Sequence, residues 1–200
     1  KQPKDVLATD GAAVTFNVAA SSSGLQYQWE WSEDGGATWK NCTITGSNTD
    51  TLSFSMVASY NGRKYRCIVS NSAGSVTSAV ATLTLYSKPT ITTQPADVLA
   101  VESAVVSFTV VATGDDLNYQ WQWSSDGSNW KNCTAAGYNT DTFSFTMLAK
   151  YNGRKYRCVV TNVMGSATSS EASLTLYVKP SITSHPSALS AAVNQQVTFT

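Results

Sequence analysis

The chain copies itself. KNCTITGSNTDTLSFSMVASYNGRKYRC, starting at Lys40, returns as KNCTAAGYNTDTFSFTMLAKYNGRKYRC from Lys131. Cys42 maps to Cys133 and Cys67 to Cys158 at a shift of 91, while Phe16 to Phe108 and Trp29 to Trp121 are 92 apart. One residue is therefore lost between them, inside the turn where SEDGGATW becomes SSDGSNW. A period of this size is one domain per copy, so each unit has to bury its own core. A third copy opens near residue 180, where KPSITSHPSALSAAVNQQVTFT follows KPTITTQPADVLAVESAVVSFT. The expected organisation is a domain over residues 1–86, a second over 87–177, and the first strands of an incomplete third over 178–200. That last piece is too short to bury a core and should stay disordered or pair with neighbouring chain. Stopping in mid-pattern, the sequence reads as part of something longer.

Inside each copy apolar residues alternate, as in Val14-Phe16-Val18, Tyr27-Trp29-Trp31, Leu52-Phe54-Met56 and Tyr65-Cys67-Val69. This is strand spacing with one buried face. Turn-forming groups at residues 21–24, 33–36, 45–48, 60–62 and 71–74 separate the runs, and no helical period is sustained. The fold class expected is all-β, with antiparallel sandwiches rather than a parallel sheet, which would require crossover helices. Strand ends run into Ser87-Lys88-Pro89 with no Gly/Ser linker, so the sandwiches should lie end to end with a semi-rigid junction.

Charge excludes several partners. Thirteen Lys plus Arg balance thirteen Asp plus Glu, so no global field favours nucleic acid or an anionic membrane. The longest apolar stretch, Val98 to Ala112, is broken by Glu102, Ser103, Ser107 and Thr109, which argues against membrane insertion in this segment.

The order YQW, a hairpin, YNGRKYRC and then NSAGSVTSAVATLTL resembles strands C, F and G of an immunoglobulin-like domain. By that resemblance Trp29 and Trp121 are core tryptophans, Tyr65 and Tyr156 occupy the tyrosine-corner position, and Asn61 and Asn152 replace an acid. Phe16 and Phe108, with Phe199 in the third copy, stand where antibody domains place the first cysteine, so the usual inter-sheet bridge cannot form. Together with Thr/Ser/Asn-rich strands and K-P-x-I-T-x-x-P junctions, the pattern resembles tandem immunoglobulin-like repeats of bacterial cell-surface and secreted proteins. The resemblance implies an extracellular, secreted or wall-attached location and a binding, spacing or ligand-capturing role. The even cysteine count and identical spacing in both copies lead to an expected pairing of Cys42 with Cys67 and Cys133 with Cys158, since other pairings cross between domains.

Catalytic and cofactor chemistry finds little support. Ser32 to Trp39 spells an Asp box, the hairpin motif of sialidase propellers, but propeller blades recur every ~45 residues and this period is twice that. The cysteines lack a C-x-x-C pair, and the single histidine, His185, has no catalytic or metal-binding companions. Asp34, Asp50, Asp126 and Asp141 lie near turns but not in a D-x-D-x-D run, which disfavours calcium. The expectation is therefore no enzyme and no cofactor. For binding, strand alternation sends Lys64 and Arg66 away from buried Tyr65 and Cys67. Lys64, Arg66 and Glu30, with Lys155, Arg157 and Gln122 in the second copy, are the candidate contact residues. Tyr60, Tyr138 and Tyr151 near turns are candidates to stack on a sugar or a protein. The first expected role is a bacterial adhesin binding an extracellular protein, such as a host surface protein or immunoglobulin, or a glycan, as a monomer in a longer multi-repeat chain. A structural stalk and an accessory module of a secreted glycan-active enzyme stay open beside it.

Overall fold

The computed structural model describes residues 1–199. The first copy forms β1 (Val6–Ala8), β2 (Ala13–Asn17), β3 (Gln26–Ser32), β4 (Lys40–Asn41), β5 (Thr51–Ser55), β6 (Lys64–Asn71), β7 (Gly74–Thr77) and β8 (Ala81–Leu85). The second forms β9 (Thr90–Thr93), β10 (Val98–Ala100), β11 (Val105–Thr109), β12 (Val111–Thr113), β13 (Asn118–Ser124), β14 (Lys131–Asn132), β15 (Thr142–Thr146), β16 (Lys155–Asn162), β17 (Gly165–Thr168) and β18 (Ala172–Leu176). No strand among the described residues lies beyond Leu176. The third-copy strands are thus not formed in residues 178–199, and Phe199 is exposed. The segment brings no partner strands of its own, so its backbone has nothing to pair with.

Each copy is a sandwich of unequal sheets. In the first, one sheet runs β1-β8-β6-β3-β4 with β7 also on β6, and the facing sheet has only β2 and β5. The second repeats this as β10-β18-β16-β13-β14 against β11-β15, and adds a β9-β12 pair. Most pairs are antiparallel, but β1 joins β8 in parallel, Val6 opposite Leu83. Sequence alternation does not reveal that pairing, because a three-residue strand has no period to read.

The core is aromatic and crosses between sheets. Phe16 on β2 stacks on Tyr65 of β6 at 4.8 Å, and Phe108 stacks on Tyr156 at 4.7 Å. Trp29 and Trp121 are fully buried beneath them. Each indole N–H still finds an acceptor, Thr49 O or Thr140 O, both at 2.9 Å, as a buried Trp requires. Asn61 and Asn152 cap the turn before β6 and β16 by accepting the N–H of Leu85 and Leu176, each at 2.9 Å. Gly46 holds the 45–48 turn at φ +87°, where an added Cβ would lie 2.8 Å from Thr51 O, so only glycine fits.

The expected disulfides are corrected by the structure: all four cysteines are free thiols, and all are buried. Trp29 pairs in register with Cys67 on one side, and its carbonyl accepts the Cys42 N–H at 2.8 Å on the other. Cys42 therefore stays beside β3 instead of crossing toward the opposite sheet. With β3 between them, the two cysteines stand about two strand spacings, ~10 Å, apart. A bridge needs α-carbons within about 7 Å. Burial pushes the thiols of Cys42 and Cys133 up to about 12 and those of Cys67 and Cys158 up to about 11. It likewise pushes the Tyr65 and Tyr156 phenols up to about 12.

The junction is held by hydrogen bonds. Ser87 N–H donates to Asp115 Oδ2 at 2.7 Å, and the Asn162 amide donates to Ser87 O at 2.7 Å and Asp115 O at 2.8 Å. The Tyr86 hydroxyl, at the end of the first copy, donates to the Asp116 carboxylate in the second. Asp116 holds φ +45°, a region where the first copy uses Gly24 at φ +65°. A non-glycine residue there is strained, and its bond to Tyr86 is the compensation visible at this site.

Truncating Phe16 to alanine should destabilise the first sandwich by about 3–5 kcal/mol. Because the two cores share no residue, denaturant titration should then resolve an early transition while the second stays in place. Native protein should resist a thiol reagent, and all four thiols should react once it is unfolded. The raised thiol and phenol values favour the protonated, folded form. Stability should therefore be full below the ordinary thiol value of 9.0 and fall progressively as pH rises toward about 12. Denaturation midpoints across that window check the sign. The Asp116 carboxylate also raises the Tyr86 phenol to about 12 from 10.0. Asp116→Ala should return one tyrosine toward 10.0 in an absorbance titration.

Candidate functional site

The outward face of the large sheet carries the charged residues singled out by alternation, but they are engaged with one another. Register places Glu30 opposite Arg66, and Arg66 Nε donates to Glu30 Oε2 at 2.7 Å. The same guanidinium lies 4.0 Å from the Trp39 ring. In the second copy Arg157 Nε donates to Gln122 Oε1 at 2.9 Å and its guanidinium lies 4.1 Å from Trp130. Lys64 donates to Gly35 O at 2.9 Å, and Lys155 pairs with Glu171 at 2.6 Å. A ligand on this face would have to displace these internal partners, which makes the six residues a strut across the strands more than a free docking patch.

The Asp-box hairpin is equally self-contained. Asp34 accepts from the Thr38 N–H at 2.9 Å and from the Ser32 hydroxyl at 2.7 Å, while Gly36 N–H donates to Ser32 Oγ at 2.9 Å. Asp126 does the same with Asn129 N–H and the Ser124 hydroxyl, both at 2.8 Å. These donors hold both carboxyls well below the usual carboxylate range, Thr38 contributing most to Asp34 and Asn129 to Asp126. Such a carboxylate closes a turn; it cannot donate a proton. Among the described residues no cluster of three or more His, Cys, Asp or Glu is placed to hold a metal ion.

The strongest site lies where alternation points inward. In each copy a cleft opens between the β4 or β14 end of the large sheet and the small sheet's β5 or β15, whose Phe54 or Phe145 lines it. In the second copy it measures about 350 Å³ and is lined by Trp123, Tyr151, Arg154, Phe145, Thr134 and Ala135, among others. Its counterpart in the first copy, about 170 Å³, is lined by Trp31, Tyr60, Arg63, Phe54, Thr43 and Ile44. In both, an arginine lies between two rings: Arg63 is 3.9 Å from Trp31 and 4.1 Å from Tyr60. Arg154 is 3.8 Å from Trp123 and 4.5 Å from Tyr151. Cation–π contact fixes the guanidinium while leaving its in-plane N–H groups as donors. Of the aromatics the sequence offered for stacking, the structure brings Tyr60 and Tyr151 to the clefts, and Tyr138 packs against the second core. Arg63 and Arg154 belong to a basic cluster that recurs in both copies, Arg63-Lys64-Arg66 and Arg154-Lys155-Arg157, but alternation advances only its outward members as contacts, and it reads Trp31 and Trp123 as core.

Comparison with known proteins follows this geometry. A family model described as Immunoglobulin I-set domain matches residues 1–85, and one described as Immunoglobulin domain matches residues 88–162. Endoglucanase C of Cellulomonas fimi is 34% identical over 176 residues, which is 87% of this chain but 16% of that protein's length. The extracellular domains 3–5 of Drosophila OTK superpose with a TM-score of 0.64 at 19% identity, over 88% of this chain and 60% of that one. A structure described as the basis for Dscam isoform specificity gives a TM-score of 0.50 at 19% identity, over 88% and 45% of the respective chains. At such identity the structural likeness speaks for the fold alone. No helix among the described residues is long and apolar enough to cross a membrane. The sandwich topology, its aromatic core and both family matches agree that this chain belongs to the immunoglobulin-like domains, as a tandem array of them.

Proposed function

We propose that residues 1–86 and 87–177 are two non-catalytic, extracellular binding domains of a secreted glycan-active protein, with 178–200 opening a further repeat. The observation that carries this reading is the match to a segment making up 16% of Endoglucanase C, a proportion that suits an accessory part. The carboxylates of this chain point the same way. Asp34 and Asp126 are held ionised by turn donors, and Glu33 is held down by Lys40. Glycoside hydrolysis needs the reverse, a carboxyl with a raised pKa facing a second one. The stacked-arginine clefts supply a binding surface of the kind a polysaccharide contact uses. Of the three roles open from sequence, the accessory module therefore leads over the host-directed adhesin and the bare stalk.

The purified chain should be retained on insoluble polysaccharides and should release no reducing sugar from soluble ones. Retention only by serum proteins, mucins or host cells would replace this reading with adhesion. Retention by none of these would leave the stalk.

A further inference from the structure

We propose that the cleft of the second copy, between Trp123, Arg154 and Tyr151, binds a carboxylate-bearing sugar, a uronic acid unit of an extracellular polysaccharide. The first copy's cleft, by contrast, is closed to it. This rests on the polysaccharide-binding role and names its ligand class.

Leu52, Ser55 and Val57 become Phe143, Thr146 and Leu148 on the lining of the larger cleft, and two further substitutions separate the clefts in size and charge. The first is in size. Ile44 borders the smaller cleft, and Ala135 stands at the equivalent place in the larger. Small-molecule sites occupy about 300–1,000 Å³; at about 350 Å³ the second cleft falls inside that range, and at about 170 Å³ the first does not.

The second difference is in charge. In the first copy Glu33 neutralises the cleft, pairing with Lys40 at 2.7 Å and with Arg63 at 3.8 Å. Ser125 stands at its place in the repeat. Among the described residues, Arg154 and Lys131 have no acidic partner within ion-pair distance, although both lie over the Trp123 ring, at 3.8 Å and 5.3 Å. Glu30, which binds Arg66 on the outer face, is also replaced, by Gln122. The chain's formal net charge is zero, so the excess is local to this end of the second copy.

An arginine pinned between two rings presents its fork with little rotamer freedom left to lose. That fork matches a carboxylate in bidentate fashion. The surrounding aromatic walls suit the C–H face of a pyranose ring, and the Thr134 hydroxyl and Asn132 amide offer polar contacts to its hydroxyls. A neutral sugar would leave the guanidinium unmatched as water is excluded, and a flexible acidic side chain would leave the aromatic walls unused.

The test is calorimetric titration of the whole chain with de-esterified oligomers of galacturonate, glucuronate and mannuronate, alongside methyl-esterified galacturonan, cello-oligosaccharide and an oligo-glutamate peptide. At least one uronide should bind, weaken with added salt, and be preferred over its methyl ester by about tenfold or more. Ala135→Ile, which restores the bulk of the first copy, and Ser125→Glu, which restores its acid, should each weaken binding by about tenfold. Both positions are exposed, so the fold should tolerate them. The reciprocal change, Ile44→Ala with Glu33→Ser, should add a second site per chain. Binding unmoved by Ala135→Ile and Ser125→Glu would overturn the proposal, as would equal affinity for the methyl ester or preference for the peptide. If the chain still holds neutral polysaccharide in those cases, the accessory role stands and only the ligand class falls. If no uronide and no polysaccharide binds, both fall.

Discussion

The stack of Phe16 on Tyr65, repeated as Phe108 on Tyr156, is the contact on which each sandwich depends. It spans the two sheets at the level where a disulfide would otherwise join them, and at 4.8 Å and 4.7 Å it is close packed. A covalent bridge restricts the unfolded chain, whereas an aromatic stack stabilises only by burial and contact in the folded one. The rest of the core follows from that substitution. Phe54 and Phe145 crowd against the same tyrosines, the tryptophans fill the space beneath, and the thiols contribute apolar volume around β3 and β13 rather than cross-links.

The inequality of the sheets turns this core into a surface. Two strands cannot cover six, so the aromatic stack continues into a cleft beside the small sheet, as a series of rings that water reaches. An arginine closes each series with its charge over the rings; Arg63 is paired with Glu33, whereas Arg154 has no acidic partner among the described residues. Packing and recognition thus use one row of side chains: Tyr65 and Tyr156 are core at one end and line the cleft at the other.

Near-identity of the two copies makes their differences informative. Strand positions, the indole bonds and the asparagine caps are shared, and these fix the fold. Glu33 to Ser125, Glu30 to Gln122 and Ile44 to Ala135 alter the charge and volume of the surface. At the junction, Gly24 to Asp116 exchanges an unstrained glycine for a strained acid that ties the copies together. Changes of this kind spare the inward-facing core of Phe16, Trp29, Tyr65 and Cys67 and their equivalents, so a domain can keep its core while its surface is rewritten.

By itself the sequence determined the repeat, the all-β class and the inward sets containing Phe16, Trp29, Tyr65 and Cys67, because side chains alternate with a period of two wherever one face is buried. It also determined that the Asp-box hairpin closes a turn. What it could not determine depends on distances between segments far apart in the chain. Alternation says which side Cys42 faces, but not that β3 lies between it and Cys67. It assigns Arg63 and Arg154 to the inner side, but not that a cleft opens there between the two sheets. Lys64 and Arg66 face outward as expected, yet their internal partners come from other strands and turns. Those answers belong to the tertiary structure, since strand order and the number of strands in each sheet decide which inward positions are covered and which stay open to a ligand.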